Sequence, residues 1–283
     1  MDIGQFGIWT TYRTIGEENA GEAAKLVEDL GYGAFWLGGS PRLPTTRPLL
    51  AASERLIVAT GIVNVWQNEP ATLAAENAEL TSEFPGRLLV GIGIGHPEAT
   101  SDYSRPLTAM RAFLDGLDSA DPPLPRERRV LAALRPKMLR LAKERALGAH
   151  PYFVPVAHTS AARGLLGDGA LLAPELACVV DGLHGRPDPE RARATARQYA
   201  ASYLGMSNYT SNLLEFGFTE QDLADGGSDR LVDAIIPQGS VEKIADAARE
   251  HIDAGADHVC LQPVGVEGIP RDEWSALASA LYG

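Results

Sequence analysis

Leu30-Gly31-Tyr32-Gly33-Ala34-Phe35-Trp36-Leu37 packs a helix end, a glycine turn and a short apolar strand into consecutive residues. The same grammar returns at Ala146-Leu147-Gly148-Ala149-His150-Pro151-Tyr152-Phe153-Val154 and at Ala254-Gly255-Ala256-Asp257-His258-Val259-Cys260-Leu261. Glycine after a helix supplies the left-handed C-cap. The continuous apolar run that follows suits a parallel strand buried on both faces. Working outward, strands are expected at 5–10, 33–37, 56–63, 88–93, 129–134, 149–154, 171–180 and 258–262. Helices are expected at 17–30, 70–83, 105–117, 136–146, 158–166, 188–204, 240–254 and 270–281. Ala20, Ala23, Ala24, Val27 and Leu30 recur at helical spacing in the first of these. Strands alternating with helices over 283 residues predict an α/β fold, a (β/α)8 TIM barrel forming a single domain over 1–283. Residues 205–239 read as a polar helical insertion near the strand ends. The weakest stretch is 121–135, and an open doubly wound sheet is the competing fold.

Acidic residues number 37 and basic ones 25, a formal net charge of −12. That balance argues against a nucleic-acid groove, which needs clustered cations facing phosphate. Glycine (29) and proline (19) are in excess but scattered singly between apolar runs, as many short connections require. No apolar run reaches the roughly 18 residues of a membrane span. The chain begins with no basic n-region or apolar h-region, so no secretory leader is expected and a cytoplasmic protein is. Cys178 and Cys260 lie in apolar runs and read as buried thiols.

Barrel active sites lie at the C-terminal strand ends. That rule selects Trp9, Trp36 and Trp66 as candidate walls for a flat ring system, with barrel packing as the alternative. In Gly91-Ile92-Gly93-Ile94-Gly95, bare backbone would let a ligand approach, or simply form a tight turn. His96 and His150 follow strands four and six and are the candidates for proton transfer. His158, His184 and His251 fall on helices or loops, where a solvated role is expected. His258 opens its strand at the stability face. No His-x-His closes a strand, and no metal site is expected. All four lysines fall on helical patterns, away from a Schiff-base position. No Gly-x-Ser-x-Gly elbow or Walker loop occurs. Such a site suits a bound organic cofactor that carries the reactive atom.

Several segments resemble the luciferase-like flavin and deazaflavin barrels. They are Leu30 to Leu37, Ala59-Thr60-Gly61-Ile62-Val63-Asn64-Val65-Trp66 with Glu69-Pro70-Ala71, and Pro85-Gly86-Arg87-Leu88-Leu89-Val90-Gly91-Ile92-Gly93-Ile94-Gly95-His96-Pro97-Glu98. Gly217 to Leu223 and His251 to Val259 resemble the branch described as probable F420-dependent oxidoreductases. The resemblance implies a deazaflavin ring over the barrel mouth. The positions it points to are Trp9, Gly38, Gly39, Gly61, Ile62, Asn64, Gly93, Ile94, Gly95, His96, Ala149, His150 and Pro151. It implies a kinked, sometimes cis, bond within Thr60 to Asn64. Arg42 and Arg47 would meet the cofactor's acidic tail or remain solvated. Some relatives carry an Asp-His pair after strand two. Here Gly38-Gly39-Ser40 stands there, so the proton-transfer role moves to His96, or the reaction needs none from the protein.

The expected function is hydride transfer between coenzyme F420 and a small organic substrate. The alternatives are an FMN-dependent monooxygenase and a non-catalytic cofactor-binding barrel. Relatives imply a homodimer; no nucleic acid or membrane partner is expected.

Overall fold

The computed structural model describes residues 2–99 and 103–283. Eight parallel strands form the barrel wall: β1 Phe6–Thr10, β2 Ala34–Gly38, β3 Ile57–Gly61, β4 Leu88–Gly93, β5 Arg129–Leu131, β6 Gly148–Ala149, β7 Glu175–Val180 and β8 Val259–Pro263. They pair in chain order, and β8 returns to β1 with Phe6 beside Val259. The seventh strand closes the ring by dividing. Leu171–Leu172 pairs with β6, and beyond Ala173-Pro174 the chain pairs with β8 as β7. Proline has no N–H for the ladder, so the break falls there. The (β/α)8 barrel is therefore as expected, and the doubly wound alternative is excluded.

The turn grammar has a local cause. After helix Ala20–Asp29, the Gly31 N–H bonds Glu28 O and the Tyr32 N–H bonds Val27 O. After helix Val241–Asp253, Gly255 and Ala256 repeat these bonds onto Ile252 and His251. Gly31 (φ 88°) and Gly255 (φ 103°) are left-handed, as this double-bonded cap demands. The third copy differs. Gly148 lies inside β6, where a Cβ would sit 1.9 Å from Leu171 O. Its role is close strand approach, and β6 ends at Ala149 rather than 154. The strand expected at 129–134 likewise stops at Leu131. The scattered prolines have a place: Pro70, Pro106, Pro136 and Pro189 each open a helix. There the missing N–H costs nothing.

The third strand kinks where the resemblance placed it. The Gly61–Ile62 peptide is cis, and pairing to β4 resumes at Val63 and Asn64. The Thr60 hydroxyl bridges the gap, donating to Gly91 O and accepting from Gly91 N, each at 2.9 Å.

The 205–239 segment folds as helices Ser207–Glu215, Glu220–Leu223 and Asp229–Ile235, then the short strand Gln238–Gly239 beside the end of β7. Tyr209, Leu213, Leu231, Val232 and Ile235 pack on Ala192, Ala196 and Ala200 of helix Pro189–Leu204, with Phe153 between. Among the described residues no helix is long and apolar enough to cross a membrane. Both cysteines are free and buried.

Candidate functional site

A cavity of about 1000 Å³ opens at the C-terminal strand ends. Trp9, Gly39, Gly61, Ile62, Asn64, Gly93, Ile94, Gly95, His96 and His150, all named from the sequence, line it. Gly38, Ala149 and Pro151 lie behind the wall rather than on it. The reason for Gly38 is Trp9. A Cβ on Gly38 would lie 2.1 Å from the indole ring, and one on Gly61 would lie 2.4 Å from its Nε1. A Cβ on Gly93 would meet Ile62 at 2.5 Å. These glycines admit neighbouring side chains that form the wall, where the sequence suggested direct ligand approach. Gly39 (φ 82°) and Gly95 (φ 67°) are different, since both are left-handed turn residues.

Of the three tryptophans, only Trp9 lines the cavity. Trp36 is fully buried beneath it, stacked on His150 with centroids 4.3 Å apart and planes 19° apart. Its Nε1–H donates to His258 Nε2 at 3.1 Å, and His258 Nδ1–H donates to Gly4 O at 2.7 Å. His258 thus holds the lower barrel together, as its place at the strand start implies. Trp66 Nε1–H donates to Ile94 O at 2.7 Å and steadies the loop after β4.

His150 is 2% exposed. Its Nδ1 is 2.6 Å from Ala173 O, so that nitrogen carries the proton and donates it. Burial lowers its pKa to about 4 and keeps the ring neutral. His96 also sits below its ordinary value through burial, opposed by the nearby Glu98 carboxylate. Its ring lies between Asn208 and Tyr209 of the insertion. Beside them, Tyr152 bonds Tyr199, Tyr203 (3.0 Å) and the Gln262 side-chain oxygen (2.9 Å).

The insertion does reach the site: Met206, Asn208, Tyr209 and Glu215 line one wall, with Tyr203 from the preceding helix. Glu98 accepts the Ser207 N–H at 2.9 Å, and Glu215 pairs with Arg135. These contacts join the insertion to the loops after β4 and β5. Sequence reasoning missed this wall, because an insertion has no strand-end rule to place its side chains. It also passed over Ala132 to Arg135, which the rule would have selected had β5 been read clearly.

The solvated alternative fits the loop arginines: the side chains of Arg42 and Arg47 are 79% and 37% exposed. Arg42 pairs with Glu76 at 3.5 Å and Arg47 with Glu79 and Glu83, all on helix Pro70–Glu83. The cations on the cavity wall are Arg135, Lys137 and Arg140, at the start of helix Pro136–Arg145. Two histidines expected to be solvated are buried. His158 is 1% exposed and donates to Leu134 O; His251 is 1% exposed and bonds the Thr159 hydroxyl. Both lie on inner helix faces, which a lone helical position does not reveal. His184 is exposed, as expected. Among the described residues no cluster of three or more His, Cys, Asp or Glu is placed to hold a metal ion.

The luciferase-like monooxygenase family model matches residues 4–120, the part that carries β1 to β4. An F420-dependent secondary alcohol dehydrogenase in complex with an F420-acetone adduct shares the fold at 14% identity and TM-score 0.75, over 98% of each chain. The coenzyme F420-dependent tetrahydromethanopterin reductase from Methanopyrus kandleri does so at 15% identity and TM-score 0.71, over 99% of this chain and 98% of that one. The oxygenating constituent of 3,6-diketocamphane monooxygenase from Pseudomonas putida, a type II Baeyer-Villiger enzyme in complex with FMN, follows at 13% and 0.68, over 98% and 96%. At these identities the structures establish a common fold. No curated protein matches the sequence.

Proposed function

We propose that this luciferase-like barrel is an oxidoreductase that holds coenzyme F420 in its mouth cavity and serves hydride transfer to or from a small organic substrate. The observation that carries the reading is the cavity itself. It is large enough for a tricyclic ring and a substrate, walled by Trp9, Ile62, Tyr152 and Tyr209, and placed at the strand ends where such barrels work. The donor set also suits the group. Lys137 and Arg140 stand on one wall of an otherwise acidic protein, where an anionic tail would lie.

When bound, the deazaflavin supplies the hydride-carrying carbon. The chain's residues then do three things. Trp9 and Ile62 line the cavity and would hold the ring, and alignment is what hydride transfer chiefly needs. The insertion, fastened through Glu98 and Glu215, walls one side of the mouth, where it would shield the ring from water. His96, beside Asn208 and held below its ordinary pKa by burial, would take the proton from a substrate hydroxyl as its carbon gives up the hydride, and would return it in the reverse direction.

Fluorescence titration of the purified chain with F420 and with FMN tests this. Micromolar binding of F420, with substrate-dependent oxidation or reduction, supports the proposal. Tight FMN binding without F420 binding redirects it to a flavin monooxygenase. Binding without turnover over a broad substrate panel leaves a non-catalytic carrier, and binding of neither cofactor overturns the reading.

A further inference from the structure

The two cavity histidines differ in what they leave open. His150 Nε2 is sealed in and unpartnered. His96 is only half-buried, and its Nε2, which makes no hydrogen bond among the described residues, is not one of the sealed side-chain atoms. It keeps accessible surface at the cavity that His96 lines. A ligand there can reach it.

What that nitrogen presents is decided from the insertion. The Asn208 side-chain nitrogen lies 3.3 Å from Gly95 O and 3.4 Å from both His96 Nδ1 and the Tyr103 hydroxyl. A backbone carbonyl only accepts, so Asn208 turns its NH2 end to this corner and its oxygen away. The NH2 group can donate twice and cannot accept. His96 Nδ1 therefore accepts, and the single proton of the neutral ring sits on Nε2. Burial favours that neutral ring, against the pull of Glu98. The pose is held by the neighbours of Asn208 on the same helical turn. The Tyr209 ring packs on the imidazole with centroids 4.7 Å apart, and the Ser207 N–H donates to Glu98 at 2.9 Å.

We propose that Asn208 is a positioning residue that fixes the tautomer of His96, so that Nε2–H meets the substrate as a hydrogen-bond donor. The group this selects is an acceptor oxygen, a carbonyl. A neutral imidazole can polarise a carbonyl in this way. The bond would stabilise negative charge growing on that oxygen as a hydride reaches its carbon, and in that respect the inference rests on the function proposed above. For His96 to take up a proton at the same atom, Nδ1 must hold the other one, and the Asn208 amide must turn its oxygen to it.

The test is heteronuclear NMR of the full chain carrying nitrogen-labelled histidine, with His96→Gln assigning the His96 signals. Wild type should show Nε2 protonated and Nδ1 bare. Asn208→Ala should admit the second tautomer. Asn208→Asp, whose carboxylate only accepts, should reverse the pair. N,N-dimethylacetamide, a carbonyl probe without an N–H, should shift the Nε2–H signal of wild type and lose that effect in Asn208→Asp. A wild-type ring protonated at Nδ1 overturns the inference. So does one unchanged tautomer in all three chains, or a carbonyl probe that leaves the wild-type signal unmoved. Circular dichroism reports whether the variants fold; should they not, the wild-type tautomer and its response to the probe decide. No cofactor enters the measurement, so failure of the chain to bind F420 or FMN removes the function proposed above and leaves this result standing on its own.

Discussion

At the residue scale the site is built by what glycine omits. Gly38 and Gly61 leave room for the Trp9 indole, so the wall residue and its two bare neighbours form one unit. Gly61→Ala should displace the indole and weaken ring binding by tenfold or more while the chain still folds, read by fluorescence titration beside circular dichroism; unchanged affinity would contradict the arrangement. The two site histidines divide their work by environment. His150 is locked as an acceptor by Ala173 O, whereas His96 keeps a partly open face between Asn208 and Tyr209. His96→Ala should therefore lower kcat by about 10²–10⁴ with ring affinity little changed. A loss confined to affinity would assign His96 to binding alone. Both histidines were legible as strand-end residues, but their tautomers were not, because each depends on a partner from another strand or helix.

At the scale of elements, β5 is short and needs outside support. Arg129 at its start is 1% exposed, and its guanidinium donates to Arg145 O, Leu124 O and the Asp118 carboxylate at 2.6 Å. Asp118 also accepts from Arg145, and these two cations hold its carboxyl below the ordinary range. Asp118→Ala leaves the buried guanidinium without its counter-charge. Allowing for the half-exposed carboxylate, it should cost about 3 kcal/mol in urea unfolding. A loss within the roughly 0.5 kcal/mol typical of surface changes would show that the backbone acceptors suffice. This explains why 121–135 read poorly. Its order comes from a helix before it and a helix after it, and no local pattern announces that.

At the scale of the molecule, four buried ionisable groups shape stability against pH. His150, His251 and His258 each have a pKa lowered to about 4 by burial, and Glu175 is raised to about 8. Below about pH 6.5 the unfolded histidines take up protons that the folded ones refuse, so stability falls toward pH 4. Glu175 acts in the opposite direction. It keeps its proton when folded, so its contribution is complete below about pH 4.5 and is lost as pH rises toward 8. These groups together place maximal stability near pH 6.5, a tenfold change in proton affinity being worth about 1.4 kcal/mol. Glu175→Gln should flatten the decline between pH 6.5 and 8 and leave the acid limb intact, followed by urea midpoints across pH. A wild-type curve flat over that interval would refute the assignment.

What the sequence determined by itself was the barrel and the ring of positions around its mouth. Period, cap glycines and helix-opening prolines are local signals, and the strand-end rule converts them into Trp9, Asn64, His96 and His150 without knowledge of contacts. The tertiary structure alone decided which of these face the cavity and with which atom. It set Trp36 beneath His150, turned Arg42 and Arg47 toward helix Pro70–Glu83, and brought Arg135, Lys137, Arg140 and the insertion to the wall. The reason is physical. A donor's direction, a histidine's tautomer and a cation's partner are settled by groups tens to hundreds of residues away in the chain, and only packing brings those groups together.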